Sequence, residues 1–273
     1  MRGFGYRPVP AGVRQEPWHL HPKATRAGAA SPDSNLSRFA PPVDDQDGVG
    51  QCTGQAVTCG AQTTLAVAGI QIHYLDPQAA YRLARCLDRA YAAYPTGPLP
   101  PLEDVGADPN LAHLAMTRWG CPSTVDTFGF DGPCPEMTAA YGQHANDEPS
   151  LGELEESDEF KVIGQQAIYS SGPQRLLDVR AALAANFAVT MSVYASDDRF
   201  QRYIRGVMGP APAYVSCNHL VCVIGCYTDA TGATILIVQN SWGRNWGESG
   251  LFRCTTDVLL QSDGVHVCSV KGI

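Results

Sequence analysis

The chain has 273 residues, of which 44% are hydrophobic and 17% are charged. That length and apolar fraction suffice for one large domain, or one two-lobed unit, with a buried core. The 27 acidic residues outnumber the 19 basic ones, so the net charge is -8 and no basic stripe follows the sequence. We therefore expect no nucleic-acid partner. No run reaches the roughly 18 apolar residues of a membrane span, so we expect no membrane partner either.

The amino terminus, residues 1–8, contains no apolar run that could form the core of a secretory signal. Ten cysteines are too few for a small disulfide scaffold. These features predict reduced thiols and a cytoplasmic protein, or one exported by a route without a secretory signal peptide.

Helices are predicted in the first half of the chain. One begins near Cys52, and the small residues along it suit close packing between other elements. Asp76-Pro77 and Asp108-Pro109 each join an N-cap residue to a proline in the first helical turn. They predict helices that continue to about residue 92 and to a stop at Gly120.

The periodicity changes in the second half. Ser171-Gly172-Pro173 opens a further helix that runs to about Ala185. Short runs rich in β-branched residues then predict strands over 187–194, 219–224 and 234–238. A helical half followed by a strand-rich half is an α+β pattern, with a cleft expected where the halves meet.

Two segments lack a regular period. Residues 1–45 are rich in Pro, Arg, Ala and Ser and predict an extended arm laid over the body. Residues 144–160 hold seven acids and predict a solvated insertion or linker, with attraction of basic substrates as an alternative role. The chain is thus divided into the arm, a mainly helical lobe over 46–165 and a mainly β lobe over 166–273.

Cys52 is a candidate nucleophile because it follows the flexible turn Gly48-Val49-Gly50-Gln51 at the start of a predicted helix. A helix amino terminus supplies partial positive charge that lowers a thiol pKa, and the thiolate is the reactive form. Gln46, six residues earlier, offers an amide that could stabilise an oxyanion together with the Cys52 backbone N–H. An inert buried cysteine and a surface glutamine are the alternative interpretations of these two positions.

The carboxy-terminal half supplies partners for such a nucleophile. His219 opens an apolar strand, and Asn240-Ser241-Trp242-Gly243 begins 21 residues later. Asparagine can accept an imidazole N–H and fix the tautomer of the ring, while Trp242 can shield that hydrogen bond from water. Cys52, His219 and Asn240 therefore form a candidate catalytic triad.

This set resembles the papain-like cysteine peptidases over most of the chain, from about Gln46 to Phe252. The matching positions are Gln46, Cys52, His219 and Asn240, with weaker matches at Leu75-Asp76-Pro77-Gln78, Gly106, Val193-Tyr194 and Phe200. The resemblance implies a papain-like two-lobed fold with the active site in the cleft. It further implies a cysteine endopeptidase that forms a thioester without a cofactor, acts on peptide or protein substrates and binds them at Gly106. We expect its activity to be restrained by delivery, by a separate inhibitor protein or by the redox state of Cys52.

The chain departs from the pattern of that family at several positions. Val49 stands where the family has a cysteine of its usual disulfide, which agrees with a reduced compartment, and Thr53 replaces an aromatic residue beside the nucleophile. Asp47 replaces a glycine, and Asn218 stands where many members have an acid. Only 51 residues, interrupted by prolines, precede Cys52. We therefore expect a bacterial or viral type of member that is active without removal of a long helical propeptide.

Three rival hypotheses stay open. A metal site could be built from four residues that lie within ten positions: Cys217, His219, Cys222 and Cys226. In a regular strand the first two face one side and the last two the other, so we predict no metal. The fold could instead serve as a non-catalytic binding or structural module. The same triad could also pass an acyl group to an amine rather than to water.

Overall fold

The computed structural model describes residues 15–21, 23–24, 31–92, 101–129, 131–133, 144–150, 163–212 and 215–270. The helices are α1 (Cys52–Val67), α2 (Pro77–Ala92), α3 (Pro109–Trp119), α4 (Thr124–Phe128), α5 (Gly172–Ala184), α6 (Asp198–Gln201) and α7 (Thr256–Leu260). The strands are β1 (Glu16–Pro17), β2 (Ser34–Asn35), β3 (Ile163–Ala167), β4 (Val189–Val193), β5 (Val207–Met208), β6 (His219–Thr228), β7 (Thr234–Gln239), β8 (Leu251–Thr255) and β9 (Val265–Val270). The fold is of the predicted α+β class.

The strands form one sheet in the order β1-β3-β9-β4-β6-β7-β8-β5, with β2 paired to β6. Strands β4, β6 and β7 confirm the predicted strands, although β6 continues beyond the predicted end to Thr228. Val193 at the end of β4 pairs with His219 at the start of β6. The antiparallel pairing therefore brings the candidate base next to the loop that follows β4.

Helix α1 is the central helix, and nearly all of its residues are buried. Two glycines allow its close packing. A Cβ on Gly54 would lie 2.0 Å from the carbonyl oxygen of Pro77, and a Cβ on Gly60 would lie 2.5 Å from Cys268 Sγ. The close packing predicted from the small residues of this helix is confirmed on both of these sides.

The predicted starts of α2 and α3 are also confirmed. The Asp76 carboxylate accepts a hydrogen bond of 2.8 Å from the Gln78 backbone N–H. The Asp108 carboxylate accepts one of 2.7 Å from the Asn110 backbone N–H. Each aspartate thus satisfies an N–H that the first helical turn leaves unpaired. Gly120, with φ of +80°, ends α3.

The described parts of the amino-terminal arm lie against the sheet. Strand β1 pairs in parallel with β3, and β2 pairs with β6. Trp18 is 1% exposed, and its ring packs edge-on against Phe187 at 6.0 Å between centroids. An aromatic residue buried this fully anchors the arm through its apolar area. The division of the chain into an arm and two lobes stays a prediction.

Only part of the predicted acidic segment can be described. Asp147 and Glu148 are exposed, and Glu148 pairs with Arg89 of α2. The rest of that segment, residues 151–162, lies outside the described residues. No helix in the described ranges combines the length and the apolar character that crossing a bilayer requires.

Candidate active site

Cys52 is the first residue of α1, and its side chain is fully buried. The preceding Gln51 begins the helical hydrogen-bond ladder, since its carbonyl accepts from the Gln55 N–H at 3.0 Å. Cys52 shares a buried cluster with Cys217 and Leu220, which flank the candidate base in the sequence. The thiol therefore lies at the positive end of a helix dipole, near the start of β6.

His219 and Asn240 form the predicted pair, with 2.7 Å between His219 Nε2 and Asn240 Oδ1. The same Asn240 oxygen accepts the Ser241 backbone N–H at 2.9 Å. Because a backbone N–H can only donate, it identifies this atom of the amide as the oxygen. The imidazole must then carry its proton on Nε2. Nδ1 is left as the nitrogen that can take a proton from a thiol.

Aromatic rings enclose this pair. The Trp242 ring lies 5.1 Å from the His219 ring between centroids, and the Phe200 ring lies 5.8 Å from it. Trp242 and Phe200 are both fully buried, and Trp246 packs against each of them. These rings lie where they could keep water from the imidazole–amide hydrogen bond, and the shielding role of Trp242 stays a prediction.

Gln46 is fully buried and linked to the loop of Asn240. Its Oε1 accepts from Ser241 Oγ at 2.5 Å, and its backbone N–H donates to the Ser241 carbonyl at 2.9 Å. One of the two amide hydrogens donates to the Val49 carbonyl at 3.0 Å. An amide with two donor hydrogens can bind Val49 and still stabilise a developing oxyanion.

The segment before Gln46 joins α1 to the same loop. The Asp44 carbonyl accepts from the Gly243 N–H at 3.0 Å, and Asp45 pairs with Trp242 in an antiparallel bridge. The Asp44 carboxylate accepts from Gln55 of α1 at 3.0 Å. One buried acid therefore ties the helix of the nucleophile to the loop of the orienting asparagine.

Gly106 lies beside the turn that precedes the nucleophile. Its φ is +82°, a left-handed conformation that favours glycine. Its N–H donates to the Tyr81 hydroxyl at 3.0 Å. That N–H is directed into the protein, so substrate binding at Gly106 would have to use another atom of this residue. The predicted substrate-binding role stays a prediction.

Asn218, where many papain-like peptidases have an acid, supports the loop after β4. Its Oδ1 accepts from the Ala195 N–H at 2.9 Å, and its Nδ2 donates to Ser196 Oγ at 2.5 Å. An aspartate could not donate the second of these bonds. The substitution therefore changes the partners of the residue before the base without exposing His219, which is fully buried.

The cysteines of β6 do not all face the sides of the strand that were predicted for regular alternation. A bulge between Val223 and Gly225 shifts the register, so Cys226 lies on the opposite face from Cys222. The expectation that these two cysteines share a face was wrong because an extra residue reverses the alternation of side chains. In the described ranges no group of three or more His, Cys, Asp or Glu side chains could hold a metal ion.

Several residues around the site escaped the sequence analysis. Ser241 was quoted only as part of the asparagine motif, although it bonds to Gln46. Asp44, Tyr81 and Asp104 form hydrogen bonds around the turn before Cys52 that no local pattern announces. Adjacency to Asn240 could have identified Ser241, whereas the other three depend on contacts between distant parts of the chain.

The family model for "Papain family cysteine protease" matches residues 135–271, about half of the chain. The gamete and mating-type specific protein A of Dictyostelium discoideum is 37% identical over 113 residues, which are 37% of this chain and 24% of that protein. Ananain of Ananas comosus is 44% identical over 71 residues, 26% of this chain and 19% of ananain. The chain thus spans a quarter or less of the length of these curated relatives.

Solved structures agree in fold over nearly the whole chain. Xylellain, a cysteine protease from Xylella fastidiosa, superposes with a TM-score of 0.71 at 20% identity, covering 98% of this chain and 96% of xylellain. The bromelain protease from Ananas comosus, solved with the inhibitor E64, superposes with a TM-score of 0.61 at 18% identity, covering 88% of this chain and 99% of bromelain. With the family model and the curated relatives, these matches show that the chain belongs to the papain family of cysteine proteases.

Proposed function

We propose that this protein is a cysteine endopeptidase that hydrolyses peptide bonds through a thioester acyl-enzyme. The observation that carries the proposal is a thiol at the first residue of α1 together with an imidazole oriented by the buried 2.7 Å hydrogen bond from His219 Nε2 to Asn240 Oδ1. That hydrogen bond leaves Nδ1 as the proton acceptor for Cys52, which begins α1. A thiol at a helix terminus with an oriented imidazole nearby is an activated nucleophile.

In the acylation half, His219 Nδ1 takes the proton of the Cys52 thiol, and the sulfur attacks the carbonyl carbon of the substrate peptide. The negative charge that develops on the carbonyl oxygen is stabilised by the Cys52 backbone N–H and the Gln46 amide. The C–N bond then breaks, and the amine leaves with the proton that His219 held. The carbonyl carbon stays bonded to sulfur as a thioester.

In the deacylation half, a water molecule gives a proton to His219 and attacks the thioester carbon. The C–S bond breaks when the second oxyanion collapses, and the proton returns to sulfur. A peptide with a free carboxylate leaves. Asn240 keeps the imidazole in one orientation through both halves of the reaction because its oxygen accepts the hydrogen bond from the Nε2–H group throughout.

Access to the nucleophile requires movement in this conformation. Cys52 and His219 are both 0% exposed. A substrate carbonyl must approach sulfur closely before attack, within about 3.5 Å. Small reagents should therefore reach Cys52 more readily than peptides.

The test is covalent labelling followed by mapping of the modified cysteine. We expect iodoacetamide and an epoxysuccinyl inhibitor of the E64 type to modify Cys52 first. Cys52→Ala should abolish peptide cleavage. Cys59→Ala is the matched control, because Cys59 is a buried cysteine of the same helix. Labelling of Cys59 in place of Cys52, with cleavage retained in Cys52→Ala, would refute the assignment.

The same experiment separates the two rival functions. A non-catalytic module would leave the epoxysuccinyl inhibitor unreacted and every peptide intact. An acyltransferase would form the thioester but release mainly amide products when an amine is added. Mass spectrometry of the products at increasing amine concentration distinguishes transfer from hydrolysis.

The cellular setting is part of the proposal. We place the protein in the cytoplasm, or in an export route without a secretory signal, with a separate inhibitor protein as partner. None of the nine described cysteines is in a disulfide, which supports a reduced environment. Thiol counting by alkylation of protein isolated without reductant tests this, because oxidised pairs would contradict it.

A further inference from the structure

We propose that Asp104 and Tyr81 are positioning residues for the reaction, because they clamp the turn before the nucleophile to the loop that contains Gly106. This clamp consists of Gly50, Tyr81, Asp104 and Gly106. The inference rests on the proposed function, since it concerns the alignment of Cys52 for acyl transfer.

The clamp is a continuous chain of hydrogen bonds. The Gly50 N–H donates to both carboxylate oxygens of Asp104, at 3.0 Å and 3.1 Å. The Tyr81 hydroxyl donates to Asp104 Oδ1 at 2.6 Å and accepts the Gly106 N–H at 3.0 Å. Two backbone amides from separate loops are thereby joined through one carboxylate and one phenol. Bonds to a carboxylate are shorter and stronger than those between neutral groups.

The surroundings of the clamp fix its geometry. A Cβ on Gly50 would lie 2.8 Å from Asp104 Oδ1 and 3.3 Å from the Tyr81 hydroxyl, so only glycine admits this approach. Tyr81 is fully buried, and the Arg85 guanidinium lies 3.9 Å from the centre of its ring. Arg85 also donates to the Glu103 carbonyl, at the base of the loop. Burial raises the pKa of Tyr81, so the phenol keeps the proton that it donates to Asp104.

The position of the clamp connects it to catalysis. Gly50 lies two residues before Cys52, and the peptide between Gln51 and Cys52 carries the N–H expected to bind the oxyanion. Releasing Gly50 lets this peptide rotate, which weakens that donor in the transition state. Misplacement of a reacting group by about 1 Å can cost roughly 100-fold in rate. Asp104 therefore affects kcat although it is bonded to neither the thiol nor the imidazole.

The variants are chosen to remove the clamp in steps. Asp104→Ala removes the hydrogen bonds that Asp104 accepts from the Gly50 N–H and from the Tyr81 hydroxyl. Asp104→Asn keeps one oxygen that can accept a hydrogen bond. Asp104 is exposed, so its replacement leaves the core intact. Tyr81→Phe removes the link to Gly106. Tyr203→Phe is the matched control, because the Tyr203 hydroxyl likewise contacts a carboxylate, Glu248 Oε1 at 2.7 Å, and accepts a backbone N–H, that of Arg253 at 3.2 Å.

Two readouts are measured for each variant: kcat and KM on a peptide, and the alkylation rate of Cys52 by iodoacetamide. Since mispositioned groups cost 10- to 100-fold, we expect Asp104→Ala to lower kcat by about tenfold or more, with partial recovery in Asp104→Asn. Tyr81→Phe removes the two hydrogen bonds of the hydroxyl but leaves the bond between Gly50 and Asp104, so we expect a smaller effect of about 3- to 10-fold. The double variant Tyr81→Phe/Asp104→Ala should be no slower than Asp104→Ala, because both changes break one network. Tyr203→Phe should stay within about twofold of the parent chain.

The proposal is overturned by wild-type kcat and alkylation rate in Asp104→Ala, by multiplicative effects in the double variant, or by equal losses in Tyr81→Phe and Tyr203→Phe. The alkylation rate does not depend on turnover of a peptide. If the parent protein cleaves no peptide, the proposed function fails. The clamp is then judged by whether Asp104→Ala changes the reactivity of Cys52 while Tyr203→Phe does not.

Discussion

Asp44→Asn should gain stability relative to the parent chain as the pH rises to neutral, because the surroundings of Asp44 disfavour its charged form. Its side chain is 5% exposed, and burial raises its pKa from 3.8 to about 6. Hydrogen bonds from Gln55 and from the Asp45 N–H oppose this rise without cancelling it, and the charge of Asp76 adds to it. The ionised carboxylate is therefore less favourable in the folded protein than in the unfolded chain.

The magnitude follows from the difference between the folded and unfolded pKa values. Between pH 3.8 and about 6 the folded protein binds more protons at Asp44 than the unfolded chain does. The contribution of Asp44 to the free energy of unfolding is therefore fully present below pH 3.8, and it is lost as the pH rises through the folded pKa. At about 1.4 kcal/mol for each pH unit, the loss is about 3 kcal/mol. Asparagine carries no charge, so the variant does not lose this free energy as the pH rises.

The assay is urea unfolding of Asp44→Asn and its parent from pH 3.5 to 7.5, both in the Cys52→Ala background to prevent self-cleavage. Asparagine cannot accept both original hydrogen bonds, so it carries a cost that is constant with pH. The difference in unfolding free energy between the two proteins should therefore shift by about 3 kcal/mol in favour of the variant between the lowest and highest pH. A difference that does not change with pH would show that the Asp44 carboxylate is hydrated in solution.

The remaining predictions concern the candidate active site and the loss of folding stability at acidic pH. His219→Ala should lower kcat/KM more than Asn240→Ala, because one removes the base and the other only its orientation; equal rates in both variants and the parent chain would contradict the site. Gln46→Ala should lower kcat by roughly 100- to 1,000-fold in steady-state assays, the scale of one oxyanion donor, and an unchanged kcat would place that donor elsewhere. Burial lowers the pKa of His266 from 6.5 to about 4, so stability is lost as the pH falls through this range. Between pH 6.5 and about 4 the unfolding free energy of the parent chain should fall by about 3 kcal/mol relative to that of His266→Gln, and a difference that does not change with pH would contradict this.

The sequence predicted those features whose cause is local. Asp76-Pro77 and Asp108-Pro109 announce helix starts because cap and proline act within one turn. The candidate triad was proposed on similar grounds, because a motif surrounds Asn240 and a glycine turn precedes Cys52, and its catalytic role stays a prediction. Such patterns involve residues that are neighbours in the chain, so they can be recognised without knowledge of the fold.

Features set by distant contacts were not predicted. Strand β3 contains Gly164 and Gln166, which favour strands poorly, and it forms because it pairs with β9, where Gln166 lies opposite Val267. The bulge of β6 includes Gly225, and a glycine within a strand can mark a bulge, but this signal was not used and the bulge reversed the predicted side of Cys226. The clamp joins Gly50 to Asp104, which is 54 residues away. In each case the partner segment, and not the local sequence, decides the conformation.

The structure also contains a second histidine–asparagine pair that resembles the candidate catalytic one. His266 Nε2 lies 2.8 Å from Asn110 Oδ1, against 2.7 Å between His219 and Asn240. All four residues are buried. The hydrogen bond is therefore the same in kind, and it cannot by itself explain why one pair is assigned to catalysis.

The difference lies in what each imidazole faces. His219 begins β6, and the residue after it, Leu220, shares a buried cluster with Cys52, the first residue of α1, where a helix dipole favours the thiolate. His266 lies within β9 and faces another buried histidine ring at 5.2 Å, so two charges there would repel each other. A buried imidazole of that kind stays neutral and joins α3 to the sheet through Asn110. The proposed catalysis thus depends on the pairing of an oriented imidazole with a helix-terminal thiol, and the asparagine contributes only the orientation.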